Sequence, residues 1–299
     1  MKKSLVVILS FLLLADVFSA TKKVGLVVKL NGKVKEMVIT IYNIKAKLGE
    51  EVREIAVKTI TKYDANGNEV EETCYNADGS LKWTNNFRYD DRNNQIEWVA
   101  YNADGTFKNK SISTYDDKGK QIENTGYNAD GTLTWKNISK YDDRGNPIEC
   151  ITYDVNGYLG EKSISMRDDR GNPIERGAYN ANKDSGKKTI PKYDVNGNPI
   201  KDAGYNGESS LTSKTTFKYN DKDNRVEHAY YDKDGALTFR AIFKYDDKRT
   251  LIEADYDANG SLFCKSTFKY DENGNSVEEA TYNGKGILTE IIELSYTYY

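Results

Sequence analysis

Tyr141-Asp142-Asp143-Arg144-Gly145-Asn146-Pro147-Ile148-Glu149 opens a phrase that returns, with small changes, along most of the chain. Twelve residues after Tyr141 comes Tyr153-Asp154-Val155-Asn156-Gly157, a second tyrosine followed by the same Asx-x-x-Gly. Tyr75-Asn76-Ala77-Asp78-Gly79 is another copy of this second form. Asx followed three residues later by Gly is turn chemistry. It suits a type I turn whose Gly takes the left-handed position of a G1 bulge. The stretches of about eight or nine residues between turns are rich in Thr, Ile, Tyr, Phe and Trp, as strands should be. A Gly or turn cluster every 12 to 14 residues leaves no room for a helix.

The phrase has a fixed period. Tyr63, Tyr89, Tyr115, Tyr141, Tyr193, Tyr219 and Tyr245 fall on a 26-residue lattice, and Arg167 occupies the lattice point that lacks Tyr. Tyr270 arrives one residue early, after a unit of 25. A second series follows 12 residues behind: Tyr75, Tyr101, Tyr127, Tyr153, Tyr179, Tyr205 and Tyr231, then Tyr256 and Tyr282. Nine copies at this spacing predict an all-β repeat protein. The expected fold is an antiparallel hairpin meander over 63–299, two strands per 26-residue repeat, laid out as an extended slab or a spiral.

Alternation gives each strand two faces. Leu81, Trp83, Phe87 and Tyr89 point one way; Lys82, Thr84, Asn86 and Arg88 point the other. The polar face carries a central Ile in several units (Ile112, Ile138, Ile164, Ile242). Glu97, Glu123, Glu149 and Glu175 can pair across a hairpin with Lys110, Lys136, Lys162 and Lys188, for a few tenths to ~1 kcal/mol each. A four-residue loop would align them, whereas a single G1 bulge would put them on opposite faces. Pro147, Pro173 and Pro199 follow the turn directly, at a strand start, where a missing donor costs least.

Residues 21–62 lack the motif. Their denser Val and Ile, the Asn31-Gly32 hairpin signal and an amphipathic stretch around Lys45–Arg53 read as an N-terminal cap over the first sheet edge. Ahead of them, Lys2 and Lys3 precede an apolar run from Leu5 to Leu14, with Ser19 and Ala20 near a cut. That is the layout of a signal peptide over 1–20, too short to span a membrane. Export to the cell surface, periplasm or medium is the expectation.

Composition narrows the function. Of 299 residues 30% are charged, Tyr numbers 23, and the net charge is −3. Without residues 1–20, which hold two Lys and one Asp, it is −4. Ile, Leu, Val and Phe make up about a fifth of the chain, the level at which disorder begins, and tyrosine carries the missing apolar mass. The charge is balanced, with no basic footprint for nucleic acid. One His and three Cys argue against a metal cluster or a disulfide framework. Neither metal nor cofactor is expected.

The recurring Tyr-Asp-x-x-Gly-Asn, as in Tyr63-Asp64-Ala65-Asn66-Gly67-Asn68 and Tyr193-Asp194-Val195-Asn196-Gly197-Asn198, resembles the YD repeat of bacterial RHS/YD proteins. The resemblance covers 63–299. It implies a β-sheet shell and a surface or secreted life. RHS proteins also carry a C-terminal toxin, which has no counterpart in this sequence. The plan is similar to that of short secreted tandem-repeat proteins as well.

Among the sites, Asp232-Lys233-Asp234-Gly235 looks like the start of a calcium loop but lacks the Glu that an EF-hand needs at position 12. Plain turns account for such phrases. Catalysis needs one singular constellation, and here every carboxylate has near-copies. A non-catalytic binding or scaffolding surface is therefore expected, with avidity from repeated weak contacts. The alternative is a polysaccharide- or cell-wall-binding module that uses an aromatic comb: Tyr75, Trp83, Tyr89, Trp98, Tyr101, Tyr115, Tyr127, Trp135 and Tyr141. The competing role for these rings is cross-strand packing. An outer-membrane barrel is disfavoured, because it needs an outward apolar row and both strand faces carry polar residues near mid-strand.

Overall fold

A computed structural model describes residues 5–8, 27–47, 50–180, 187–245 and 250–299. The expected signal-peptide cut at Ser19–Ala20 lies outside these residues. Two short strands, β1 (Leu5–Ile8) and β2 (Val27–Leu30), pair with each other. Next come β3 (Val34–Lys47) and β4 (Glu50–Tyr63), the two longest. The repeats then supply β5 (Glu69–Asn76), β6 (Leu81–Tyr89), β7 (Gln95–Asn102), β8 (Phe107–Tyr115), β9 (Gln121–Asn128) and β10 (Leu133–Tyr141). They continue through β11 (Pro147–Asp154), β12 (Leu159–Arg167), β13 (Pro173–Asn180), β14 (Lys187–Tyr193), β15 (Pro199–Tyr205) and β16 (Leu211–Tyr219). The last are β17 (Arg225–Asp232), β18 (Leu237–Tyr245), β19 (Thr250–Asp257), β20 (Leu262–Tyr270), β21 (Ser276–Asn283) and β22 (Leu288–Tyr298).

The hairpin meander is as expected, but the sheet is neither a slab nor a spiral. Strands β3 to β22 form a closed antiparallel barrel of twenty strands. Closure comes from β22 pairing with β3, with Thr40 opposite Glu293 and Ile39 opposite Leu294. The segment read as a cap over one edge thus joins both: β4 pairs with the first repeat strand and β3 with the last. Each of β3 to β22 is paired on both sides, so the described barrel strands leave no edge strand as a template for aggregation. The best-packed apolar cluster sits at this seam, made of Leu30, Val34, Met37, Ile39, Tyr63 and Leu294.

Each turn is built alike. In the one after Tyr141, the Gly145 N–H donates to the Asp142 carbonyl at 2.9 Å, and the Asp142 N–H donates to the Asn146 carbonyl at 2.9 Å. The Asp142 carboxylate accepts the Asn146 N–H at 2.7 Å and caps the turn from its own first residue. Gly145 sits at φ 78°, as a type I turn closed by a G1 bulge requires. Among the described turns, three lack this Gly and hold Asn93, Ser209 and Asp223 at φ 63°, 62° and 59° instead.

A second bulge follows the first. Tyr141 faces Pro147, but the next rung pairs Lys140 with Glu149, so Ile148 is an extra residue on the outgoing strand. The same slip recurs one rung into nearly every hairpin, as between Thr152 and Tyr153. Two one-residue shifts cancel in parity. The G1 bulge therefore does not separate the acidic and basic rows, as a single shift would. Glu123, Glu149 and Glu175 meet Lys136, Lys162 and Lys188 at 2.8, 2.9 and 2.8 Å. Glu97 pairs with Arg88 at 2.9 Å instead of Lys110.

Candidate functional site

Register assigns each face to one side of the barrel wall. Met37, Ile39, Thr59, Thr61, Cys74 and Leu294 share a face through the pairs Met37–Thr61, Ile39–Thr59, Thr59–Cys74 and Ile39–Leu294. All six are at most 4% exposed, which marks this face as the inner wall. The other face carries the ion pairs, with Lys140, Lys218 and Lys269 side chains 62–69% exposed. Glu149 bridges Lys140 and Lys162 across three strands at 2.9 Å each. The outer wall is thus charged and wetted, and each exposed pair contributes little to stability.

The aromatic comb divides between the two walls. Trp83, Tyr89, Trp98, Tyr115, Trp135 and Tyr141 lie on the inner wall; Tyr75, Tyr101 and Tyr127 lie on the outer wall, in the rows of Lys58, Thr84 and Lys110. Outer-wall rings are covered by cations: Lys110 Nζ lies 5.6 Å from the Tyr127 ring and Lys214 Nζ 4.1 Å from Tyr231. The inner tyrosines have a structural task. Tyr115 and Tyr141 donate to the carbonyls of Gln95 and Gln121 at 2.6 and 2.7 Å, and Tyr219, Tyr245 and Tyr296 repeat the bond twenty residues back. The accepting carbonyl belongs to the first residue of the preceding bulged strand.

The inner tryptophans are supported by small partners. Trp83 faces Cys74, and Trp135 faces Gly126, where an added Cβ would meet the indole at 2.3 Å. The same ring of pairs continues with Ala100 opposite Asn109, Gly204 opposite Ser213 and Asp255 opposite Cys264. Trp83, Trp98 and Trp135 are only half-buried. Barrels of 16 or more strands are too wide for their wall side chains to fill. Away from the seam and from the buried inner-wall group His228, Ala241, Phe243 and Asp255, then, the inner wall lines a lumen rather than a packed core.

One inner-wall position stands out. Nine places after each lattice residue, Arg167 among them, an inward-facing position runs Glu72, Trp98, Asn124, Cys150, Arg176, Asp202 and His228; Glu253, eight places after Tyr245 in the 25-residue unit, and Glu279 continue it. Its outward neighbour one place earlier is Glu71, Glu97, Glu123, Glu149, Glu175, Glu227 and Glu278, broken by Lys201 and Ile252. At this pair of positions the outward residue largely repeats and the inward one varies. Sequence reasoning missed this contrast because it sought what recurs, although the variation is printed in the sequence.

The inner wall is also where acids lose their water. Burial, reinforced by Glu72, pushes Glu69 up to about 8. Burial and then Glu290 and Glu253 push Glu279 up to about 7. Burial likewise raises Glu72 and Glu290 and the phenols of Tyr63, Tyr89 and Tyr296. In the turns the shift is opposite: the Asn146 side-chain amide, then its N–H, hold Asp142 below the usual carboxylate range. His228 is buried among Phe217, Tyr230, Phe239 and Phe243, with ring centroids 5.2–6.4 Å away. Cys74, Cys150 and Cys264 all lie on the inner wall, and none is in a disulfide. Among the described residues no cluster of His, Cys, Asp or Glu has the geometry of a metal site.

No family model and no curated protein matches the chain. Among solved structures it is similar to a chain of the TcdB2-TccC3-Cdc42 structure, 12% identical over 86% of this chain, with a TM-score of 0.35. The chain spans 16% of the length of that one. It is also similar to a porin-like protein from Bacteroides uniformis, 9% identical over 90% of this chain and 99% of the other, with a TM-score of 0.38. A porin-like protein from Bacteroides vulgatus is 12% identical over 89% and 99%, with a TM-score of 0.29. At TM-scores below 0.5 these likenesses carry no argument about this chain.

Proposed function

We propose that this chain is an exported, non-catalytic binding protein that takes its ligand against the inner wall of the barrel. One observation carries the reading: at this pair of positions the outward residue largely recurs, while its inward neighbour changes from unit to unit. Repetition suffices for a framework. A wall that holds one particular ligand needs different groups at different places, as Trp98, Arg176 and Asp202 are. Export rests on the Lys2-Lys3 leader and its apolar run. The outer wall supports a barrel that stands in water. A charged side chain facing lipid at mid-bilayer costs ~2–4 kcal/mol, and this wall carries one on nearly every strand.

A polysaccharide ligand is the second reading. Trp83 and Trp98 favour it, since they lie on adjacent strands of the inner wall, half-buried, with Phe87 opposite Trp98. Both readings meet in one experiment. The purified chain is mixed with insoluble polysaccharides and peptidoglycan, alongside the inner-wall variant Trp98→Ala and the outer-wall variant Tyr101→Ala. Retention lost with Trp98→Ala and kept with Tyr101→Ala, at unchanged Tm, supports a carbohydrate in the lumen. Retention lost only with Tyr101→Ala contradicts the inner-wall reading. No retention on any polymer removes the carbohydrate reading and leaves a protein or small-molecule ligand.

A further inference from the structure

The first repeat departs from the others at the start of its inner wall. Strand β5 begins with Glu69, where later repeats have Gln95, Gln121, Pro147, Pro173 and Pro199. Glu72 follows on the same wall, opposite Thr61, and Tyr63 faces Glu69 across the hairpin. The basic residues of this region point away: Lys62 pairs with Glu71 and Arg88 with Glu97, both on the outer wall. Among the described residues no Lys or Arg forms an ion pair with Glu69 or Glu72. Glu72 accepts one hydrogen bond, from the Asn85 amide at 3.0 Å.

Two further features point to a missing occupant. Tyr63 is 3% exposed and its hydroxyl makes no hydrogen bond. A phenol buried this deeply and left unpaired costs free energy that a ligand can recover. Tyr89, one rung along, does not make the bond that Tyr115 and Tyr141 make to the carbonyl twenty residues back; its phenol instead feels the Glu69 carboxyl. Glu69 and Tyr89 are half-buried rather than sealed, so the site opens to the lumen at these two residues.

We propose that Glu69 and Glu72, with the hydroxyl of Tyr63 and the ring of Tyr89, form a lumenal site for an alkylammonium group. An ammonium has three N–H donors, and above pH ~8, where Glu69 is ionised, the site offers two carboxylates and a phenolic oxygen as acceptors. Aromatic faces beside a desolvated cation add to the attraction. A hard divalent cation fits less well, since two carboxylates and one phenol fall short of the six or more oxygen ligands it takes, and among the described residues no third acid, His or Cys completes a metal-binding group there. The ammonium can belong to a free amine or to a lysine side chain of a peptide. The inference rests on the inner wall being the binding surface.

Calorimetric titration of the full chain at pH 9, where Glu69 is ionised and an alkylammonium is still charged, with 1,5-diaminopentane and separately with a short oligolysine, tests it. Saturable binding of either probe at low ionic strength is expected, weakened at least tenfold in Glu69→Gln and in Glu72→Gln and unchanged in Glu97→Gln. The probe that binds identifies the source. Tyr63→Phe, which removes only the unpaired hydroxyl, keeps the fold intact and is expected to weaken binding several-fold. Absence of binding by both probes, or equal binding by the wild type and the two glutamine variants, overturns the site. Should that happen while Trp98→Ala still abolishes polymer retention, the ammonium site falls and the inner-wall reading stands.

Discussion

Tyr141 donates its phenolic hydrogen to the carbonyl oxygen of Gln121 at 2.7 Å, across to the strand start of the preceding repeat. The bond links consecutive repeats through the backbone atom that the bulged strand leaves at the wall. Where the lattice lacks tyrosine, Arg167 takes over: its Nε approaches the Pro147 carbonyl at 3.5 Å and Nη1 donates to the Gly171 carbonyl at 2.6 Å. Tyr141→Phe is expected to cost about 1–2 kcal/mol, because a carbonyl loses its donor. Arg167→Tyr should leave stability unchanged or raise it, whereas Arg167→Ala should lower it. Urea unfolding midpoints check the three; an Arg167→Tyr variant as unstable as Arg167→Ala would show that the arginine is not a substitute rung.

The Trp135 indole lies against Gly126 so closely that a methyl group there has no room. Gly126→Ala should therefore destabilise by roughly 1–3 kcal/mol through overpacking, with a red shift of tryptophan emission. In a Trp135→Ala background the same substitution should be nearly neutral. The coupling between the two changes is the measured quantity.

Ser209 holds φ 62° in a turn that elsewhere uses glycine. Left-handed backbone costs a non-glycine residue ~1–2 kcal/mol, part of which glycine returns as entropy of the unfolded chain. Ser209→Gly should stabilise by about 0.5–1 kcal/mol. The reverse change at Gly79, whose Cβ direction is open space at φ 82°, should destabilise by a similar amount from strain alone. Thermal melts of the two variants read both signs.

Stability should depend on pH in a definite direction. Glu69 and Glu279 have folded values of about 8 and about 7, above the ~4.3 of an unfolded chain. Between those limits the native state binds more protons, so their contribution is full below pH ~4.3 and is lost as pH rises through 7 and 8. The groups facing them are Glu72, Tyr63 and Tyr89 for Glu69, and Glu290 and Glu253 for Glu279, none of them cationic. Turn aspartates such as Asp90 and Asp142 act oppositely: held low, they stabilise above ~3.9 and fail as pH falls through their folded values. Tm should peak in mildly acidic buffer and decline toward pH 9. The double variant Glu69→Gln/Glu279→Gln should flatten the alkaline decline; an unaltered decline would place its cause elsewhere.

The strands and turns were legible because their signals are local. The Asx-x-x-Gly phrase determines the backbone at Gly145, and alternation around Trp83 and Lys82 separates the faces. The path of the sheet was not legible. Closure depends on how twenty small inter-strand rotations add up, and on β3, whose sequence does not resemble the repeat and does not mark the last strand as its partner. The fate of Glu149 and Lys162 was hidden for another reason. It turns on a second bulge, at Gly160, in a position where other repeats hold Lys82, Lys108 or Thr134 and no shared turn residue marks it. The comb was half legible: Trp83 and Trp98 share a wall, but the tyrosine series twelve residues apart fall on opposite walls, because the double bulge sits between them.

The lumen exists only if the last strand meets the first, and Thr40 and Glu293 are opposite each other on those strands, far apart in sequence. Antiparallel partners lie within disulfide reach. The measurement is oxidation of a Thr40→Cys/Glu293→Cys variant at high dilution, with Cys74, Cys150 and Cys264 replaced by Ser. Closure predicts rapid, intramolecular cross-linking, seen as a faster-migrating monomer on a denaturing gel. Failure to cross-link, or cross-linking only into dimers, would contradict the closed barrel and the inner wall with it.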